Sequence, residues 1–447
     1  MRLVRRRAVL QTTAAALGLI ALGDVSGPSD AQGAALWSPG PRSGLPYWLG
    51  GFSGVDELNA LMRPRRSLDL VHYFERRGDY QSTAAQMAAD FDKIREAQLL
   101  ISGGAVGLQW STSPFCYGAG RPPPAVWPSG PGAITPRTWL SASRPPTFTG
   151  SESAAERTAK QRRAWRMAAD GWLDVAWRYK LKAIKRDCFV RKGLRSIRIV
   201  LRVAHELNLK GPGGGWGRVS MQRSHGIGQL TDPREDPYIV QEALRRYIAV
   251  FLDVFGKVQA DIAGDFAYRR DQLWPYWCPI PEQFHPFDVS LTCPPNARLA
   301  GPDVYDFWMP SFTRAQFDAK ANAYSLRGWP KGMRAWADWA SSTGRLLAIG
   351  EFGLVTWTKS PDGSRPAHEG WDNPAYLGFM LDFFQANAGR LAFASYFNRD
   401  YAPEPELPAS YMAPWPGIDD SSIPCARLPV GDNNRCGARM WRRLLAG

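Results

Sequence analysis

The sequence predicts an α/β protein, a (β/α)8 TIM barrel with long βα loops. Three observations predict it. Short apolar runs alternate with amphipathic helical patterns, the rhythm of parallel strands joined by helices. Eight such runs fit between residues 47 and 397. Two of them end abruptly in a glutamate, and the C-terminal ends of barrel strands are where this architecture carries its chemistry.

The elements follow in order. Tyr47 to Phe52 reads as the first strand and Leu68 to Phe74 as the second. Ala84 to Ile94 is helical, with Ala84, Met87, Ala88 and Phe91 on one face. Leu99 to Leu108 is expected as the third strand, and Ser196 to Ala204, rich in β-branched residues, as the fourth. Leu244, Tyr247, Ile248, Phe251, Leu252 and Phe255 then recur on one helical face. Asp265 to Arg269 is the expected fifth strand and Asp303 to Trp308 the sixth. A helix over Met333 to Ala340 presents Met333, Trp336, Ala337 and Ala340. Leu346 to Phe352 is the seventh strand, Tyr376 to Phe384 a further amphipathic helix, and Leu391 to Phe397 the eighth strand.

The ends of the chain read differently. Arg5, Arg6 and Arg7 precede an apolar stretch from Thr12 to Leu22, and small residues follow near Ala31 to Ala34. Residues 1–33 therefore read as a signal peptide of the twin-arginine type, carried by Arg6-Arg7-Ala8-Val9-Leu10-Gln11. Its apolar core is shorter than the roughly 20 residues that span a bilayer. The expectation is export to the periplasm or the exterior, with no stable membrane insertion. A catalytic domain over 34–400 follows, interrupted at 114–150 by a Pro- and Gly-rich insertion without period. Residues 401–447 form a C-terminal extension expected to pack on the barrel. No solenoid repeat is present, and a monomer is expected.

The formal net charge is +14. Much of it lies between Arg157 and Arg198, where apolar residues at helical spacing make a solvated helix face the simplest reading. No zinc-finger, RNA-binding or helix-turn-helix signature accompanies it, so nucleic acid is not an expected partner. The six cysteines stand at 116, 188, 278, 293, 425 and 436. An even count in an exported chain favours disulfides. Short loops make Cys278–Cys293 and Cys425–Cys436 the simplest pairs, leaving Cys116 with Cys188. Trp is abundant, with 19 in 447 residues. Each can fill a core, but as a set they also suit a sugar cleft, where a sugar's C–H face packs on an apolar ring.

The sharpest local feature is Arg202-Val203-Ala204-His205-Glu206-Leu207-Asn208, an apolar strand ending in His, Glu and Asn. The Gly-rich run from Gly211, containing Trp216, follows. Leu346-Leu347-Ala348-Ile349-Gly350-Glu351-Phe352-Gly353 repeats the pattern. The plain alternative for each glutamate is a structural ion pair, with Arg202 the obvious partner of Glu206. Roughly three βα units separate the two, so they are expected to face each other across the barrel mouth. Paired carboxylates there suit glycosidic bond cleavage: one protonates the leaving oxygen, the other attacks or activates water. The acid must hold its proton near neutrality. His205-Glu206-Leu207-Asn208-Leu209 lacks the second His of a zinc-protease motif, and no Gly-x-Ser-x-Gly elbow or phosphate-binding loop is present. No metal and no organic cofactor are expected.

These motifs resemble those of glycoside hydrolase family 26, the β-mannanase family of the retaining (β/α)8 glycosidase clan. That family carries His-Glu at the end of strand four, where most of the clan has Asn-Glu. His205-Glu206 matches it, with Leu207-Asn208 following. Gly350-Glu351-Phe352-Gly353 matches the strand-seven nucleophile, and Asp303-Val304-Tyr305 the strand-six segment whose Tyr supports it. The similarity spans most of residues 45 to 400. It implies Glu206 as acid/base, Glu351 as nucleophile and retained stereochemistry. It also implies that His205 positions Glu351 or the sugar, that Tyr305 hydrogen-bonds Glu351 and that Trp216 lines a subsite. Asn208 and Trp357 are further expected substrate contacts. The family's strand-eight Trp platform is replaced here by Ser395-Tyr396-Phe397-Asn398, so the platform is Tyr396, Phe397 or absent.

The function expected from the sequence is a retaining glycoside hydrolase. Its expected substrate is an extracellular polysaccharide, either a β-mannan-like polymer or the producing cell's own exopolysaccharide. The alternative is a non-catalytic carbohydrate-binding barrel that keeps the cleft.

Overall fold

The computed structural model describes residues 43–52, 67–75, 87–89, 107–112, 114–115, 152–204, 206–208, 230–260, 262, 266–280, 287–306, 311–354 and 373–397. The strands are β1 (Trp48–Phe52), β2 (Leu70–Phe74), β3 (Gly107–Thr112), β4 (Arg198–Val203), β5 (Leu273–Trp277), β6 (Leu299–Ala300), β7 (Val304–Tyr305), β8 (Leu346–Gly353) and β9 (Leu391–Phe397). The helices are α1 (Ala154–Ala169), α2 (Asp174–Ile184), α3 (Asp236–Gly256), α4 (Arg314–Ala321), α5 (Met333–Ser342) and α6 (Pro374–Ala386).

All strand pairings are parallel, in the order β6-β5-β4-β3-β2-β1-β9-β8-β7, and β6 also pairs with β8. That last pairing closes the sheet into a barrel of eight positions. The sixth position is shared by β6 and β7, which are broken apart by Gly301-Pro302-Asp303. Gly301 is required there: an added Cβ would sit 2.0 Å from the Ala348 carbonyl oxygen. Pro302 cannot donate to a ladder. The break leaves Asp303 and Tyr305 at the rim, next to the end of β8.

Strand alternation divides the apolar side chains into two cores. Trp48, Leu70, Val200, Trp274, Tyr276 and Phe393 are among those filling the barrel's interior. A larger cluster, with Leu201, Phe251, Trp336, Phe352 and Tyr396, lies between the strands and the helices. Local signals start the helices. Ser153 and Glu156 form a capping box on α1, Thr313 and Gln316 another on α4, and Asn373 caps α6 ahead of Pro374. Among the described residues no helix is long and apolar enough to cross a membrane.

The arginine-rich stretch is more than a solvated face. Arg162 and Arg166 of α1 pair with Asp236 and Glu235 at the start of α3, at 2.7 and 2.9 Å. Arg178 and Asp174 of α2 pair with Asp253 and Arg246 of α3. Ion pairs thus stitch three consecutive helices outside the barrel wall.

Several expectations are corrected. The third strand runs over Gly107–Thr112 rather than starting at Leu99. The fifth is Leu273–Trp277, not Asp265 to Arg269; Pro275 inside that run argues against a central strand in the sequence. The sixth begins at Leu299, ahead of the expected Asp303. Of the helix expected over 84–94 only residues 87–89 are described, and they are helical with Met87 buried. Cys278 and Cys293 form no disulfide: both are free, and the Cys278 thiol is 3.1 Å from Asp303 Oδ1. Cys188 is buried, while Cys116, Cys425 and Cys436 lie outside the described residues. So do residues 1–42, most of 114–150 and all of 401–447.

Candidate active site

The site begins with an irregularity in β8. The β8–β9 register shifts between Ile349 and Phe352, around Gly350 and Glu351. The peptide groups freed from the ladder are taken by side chains from inside the barrel. Gly350 N–H donates to Tyr276 Oη at 2.8 Å, and Gln109 Nε2 donates to the Gly350 carbonyl at 3.0 Å. Ser395 in turn donates to Gln109 Oε1 at 2.9 Å. A Cβ on Gly350 would lie 2.8 Å from the Tyr276 ring and hydroxyl, so only glycine fits. A bulge of this kind re-aims the next side chain. Here that side chain is Glu351.

Glu206 is presented by strained backbone just beyond β4. Ala204 has φ of 50° and Glu206 of 49°, the left-handed region that non-glycine residues rarely enter. Such conformations cost on the order of 1 kcal/mol or more and persist where surroundings hold them. Two backbone bonds do so: Ala204 N–H to Thr112 O at 2.9 Å, and Glu206 N–H to Cys278 O at 3.0 Å. The Asn208 amide clasps the Ile280 peptide from both sides, at 2.8 and 3.1 Å.

The two glutamates meet. Oxygens of Glu206, Glu351 and Asp303 all lie within 4.8 Å of one another. Arg202, fully buried, reaches between two of them, with Nη1 on Glu351 Oε1 and Nη2 on Asp303 Oδ2. Tyr305 Oη donates to Glu351 Oε2 at 2.5 Å. Burial and the Glu351 charge hold the Tyr305 hydroxyl well above its usual range, so it stays a donor. Burial pushes the Asp303 carboxyl well up; Arg202 opposes this, and Glu351 and Glu206 add to it. One guanidinium facing three carboxyls, those of Asp303 and Glu351 buried and that of Glu206 half-buried, cannot balance three negative charges, so the cluster retains a proton. Three clustered carboxylates are also a donor set that a divalent cation accepts, but Arg202 already supplies compensating charge to two of them.

Of the residues the sequence singles out, Glu206, Glu351 and Tyr305 come together as expected. Arg202 pairs with Glu351 rather than with Glu206. Asn208 is 2 % exposed and committed to Ile280, so it braces the loop instead of lining the mouth. Tyr396 is also corrected. It is fully buried, packs on Phe352 between barrel and helices, and accepts from Leu354 N–H. Strand alternation gives the mouth position to Phe397, which stacks on Phe52 at 4.7 Å and meets Tyr305 edge-on at 6.1 Å. His205, Trp216 and Trp357 lie outside the described residues. Sequence reasoning missed Asp303 as a member of the cluster, although it stands two residues before Tyr305. It also missed His72 and Ser111, whose only signal was a polar residue facing inward from an apolar strand.

No protein-family model matches the sequence, and no characterised protein matches it in sequence. Solved structures do resemble it. The GH26C protein of Muricauda sp. aligns with a TM-score of 0.48 at 10% identity, over 93% of this chain and 89% of that one. An endo-beta-1,4-mannanase double mutant from Cellulomonas fimi aligns at 0.40 and 15%, over 93% and 75%. A GH26 beta-mannanase from Bacteroides ovatus aligns at 0.39 and 11%, over 93% and 92%. These are likenesses of chain trace, and the barrel stands on the chain's own strand pairing.

Proposed function

We propose that this chain is a retaining β-glycoside hydrolase, with Glu351 as nucleophile and Glu206 as acid/base. The observation that carries this is the approach of their carboxyl oxygens to within 4.8 Å at the ends of β4 and β8. Retaining glycosidases hold the pair roughly 5–5.5 Å apart, and inverting ones roughly 6.5–9.5 Å to admit a water. The close pair therefore supports direct attack. Glu351, fixed by Arg202 and Tyr305, adds to the anomeric carbon while Glu206 protonates the departing oxygen. A covalent glycosyl-enzyme forms. Glu206, now a base, takes a proton from water, which displaces Glu351 and returns the original configuration.

His205, adjacent to the acid, and Trp216 and Trp357 are proposed to line the cleft, with Phe397 in place of the strand-eight tryptophan. The substrate class is an extracellular polysaccharide, a β-mannan-like polymer or an exopolysaccharide of the producing cell, reached after export by the twin-arginine-type signal. The motif resemblance to family 26 favours the mannan, and the altered strand-eight platform favours a different glycan.

The test is a panel of β-mannans, β-glucans, xylans and acidic exopolysaccharides incubated with the purified protein, with Glu351→Ala as blank. Release of reducing ends by the wild type alone is expected. Binding without turnover by both proteins would select the carbohydrate-binding reading.

A further inference from the structure

His72 lies on β2, and the reaction above does not use it. It is 3 % exposed. Its Nε2 is 2.7 Å from the Ser111 hydroxyl on β3 and 3.4 Å from Arg202 Nη1 on β4. Arg202 Nη1 is also 3.5 Å from Ser111 Oγ, and the same nitrogen grips Glu351. The imidazole also meets two rings, Phe52 on β1 at 5.4 Å and Phe74 at 4.2 Å.

A guanidinium nitrogen only donates. One Nη1 hydrogen goes to Glu351, and the other faces His72 Nε2 and Ser111 Oγ. Either tautomer of the imidazole can bond Ser111 at 2.7 Å, since the hydroxyl donates or accepts; the one with the proton on Nδ1 and a bare Nε2 also offers the guanidinium an acceptor on the ring. A proton on Nε2 would go to Ser111 Oγ and leave Arg202 Nη1 facing no acceptor on the ring. A doubly protonated ring would add a second cation beside Arg202 in a buried pocket. The charged groups on the far side of Arg202, Glu351 on β8 and Asp303 before β7, are already engaged by it.

We propose that His72 is a positioning residue: a neutral, Nδ1-protonated imidazole that, with Ser111, steadies the Arg202 guanidinium on Glu351. This rests on the reading of Glu351 as nucleophile. Glu351 is reached by a planar fork whose two ends pull toward different carboxyls. An acceptor behind Nη1 fixes the rotation of that fork, and with it the oxygen that attacks. Loss of the acceptor leaves the donor only its longer contact with Ser111, and the nucleophile loosely aimed. Binding of the sugar, made mostly by other groups, is little affected.

Two measurements on the full chain test this. In a histidine-labelled nitrogen NMR spectrum near about pH 7, the His72 signals, assigned by their absence in His72→Gln, are expected to show Nδ1 protonated and Nε2 bare. In kinetics on an aryl β-glycoside, His72→Phe is expected to lower kcat about tenfold with KM within about twofold, and His72→Gln, which restores an acceptor oxygen, to recover most of that loss. A protonated Nε2 or an imidazolium would overturn the proposal, as would a Gln variant no better than Phe, the outcome of simple packing. Should the wild type hydrolyse no glycoside, the reading of Glu351 fails. The NMR result then still decides whether His72 accepts from Arg202.

Discussion

At Glu351 two neighbours hold the carboxyl group: Arg202 on one oxygen and Tyr305 on the other. Tyr305→Phe keeps the ring against Phe397 and removes only the donor. We expect a drop in kcat of about tenfold to a hundredfold, since a charge-assisted bond of this kind is worth about 1.5–3 kcal/mol. Steady-state kinetics would show it, with Tm nearly unchanged. Glu206→Ala should slow natural polysaccharides far more than aryl glycosides with activated leaving groups, which need little protonation. Equal losses on both would remove Glu206 from the acid role. The raised Asp303 makes a pH prediction. Between the ordinary aspartate range and its raised value, the folded chain keeps a proton that the unfolded chain has released. The stability this gives is full below that window and is lost as pH rises through it. Asp303→Asn should flatten the fall of Tm as pH rises above the ordinary aspartate range, and an unchanged slope would place the proton elsewhere. The meeting of Glu206 and Glu351 was legible in the sequence because each Glu ends an apolar run. Asp303 was not, because its role depends on a break in the sixth strand that only Gly301 and Pro302 hint at.

At the scale of the element, β8 shows why a strand can be read and still be misjudged. Its apolar run marks it plainly, but the register shift at Gly350 arises from Tyr276 and Gln109, which come from strands distant in sequence. Gly350→Ala should therefore be costly out of proportion to one methyl. Its Cβ would push Tyr276 off the Gly350 N–H, and activity should fall at least about a hundredfold while the barrel stays folded, because a small misplacement at a reacting group is enough for that. Circular dichroism alongside kinetics separates the two effects. The same limit explains Tyr396 and Phe397: which of two adjacent aromatics faces the mouth is a matter of strand register, and a one-residue slip exchanges them. β5 was misplaced because Leu273–Trp277 holds a proline, and a buried pairing tolerates it.

The molecule as a whole is a barrel filled from inside and wrapped from outside, and charge is used differently at its two depths. Lys180 of α2 and Glu75 after β2 form an ion pair at 2.8 Å with both side chains fully buried, and Glu75 also accepts from Thr112 at 2.5 Å. Lys180→Met should cost about 3–5 kcal/mol in denaturant unfolding, the loss expected when one half of a buried pair is removed. Arg166→Ala, which breaks a pair exposed on both sides, should change stability by less than about 1 kcal/mol. The sequence showed a basic stretch but not its partners, because the acidic residues that pair with Arg162, Arg166 and Arg178 lie some 70 positions along, at the start of α3 or within it. The fold brings those charges together as it brings Glu206 to Glu351. The most direct measurement of what that second meeting is for is the anomeric configuration of the first product, followed by proton NMR during hydrolysis of a β-glycoside. The close carboxyl pair predicts that the β-anomer appears first and mutarotates later. An α-anomer appearing first would contradict it, and Glu351 would then not be the nucleophile.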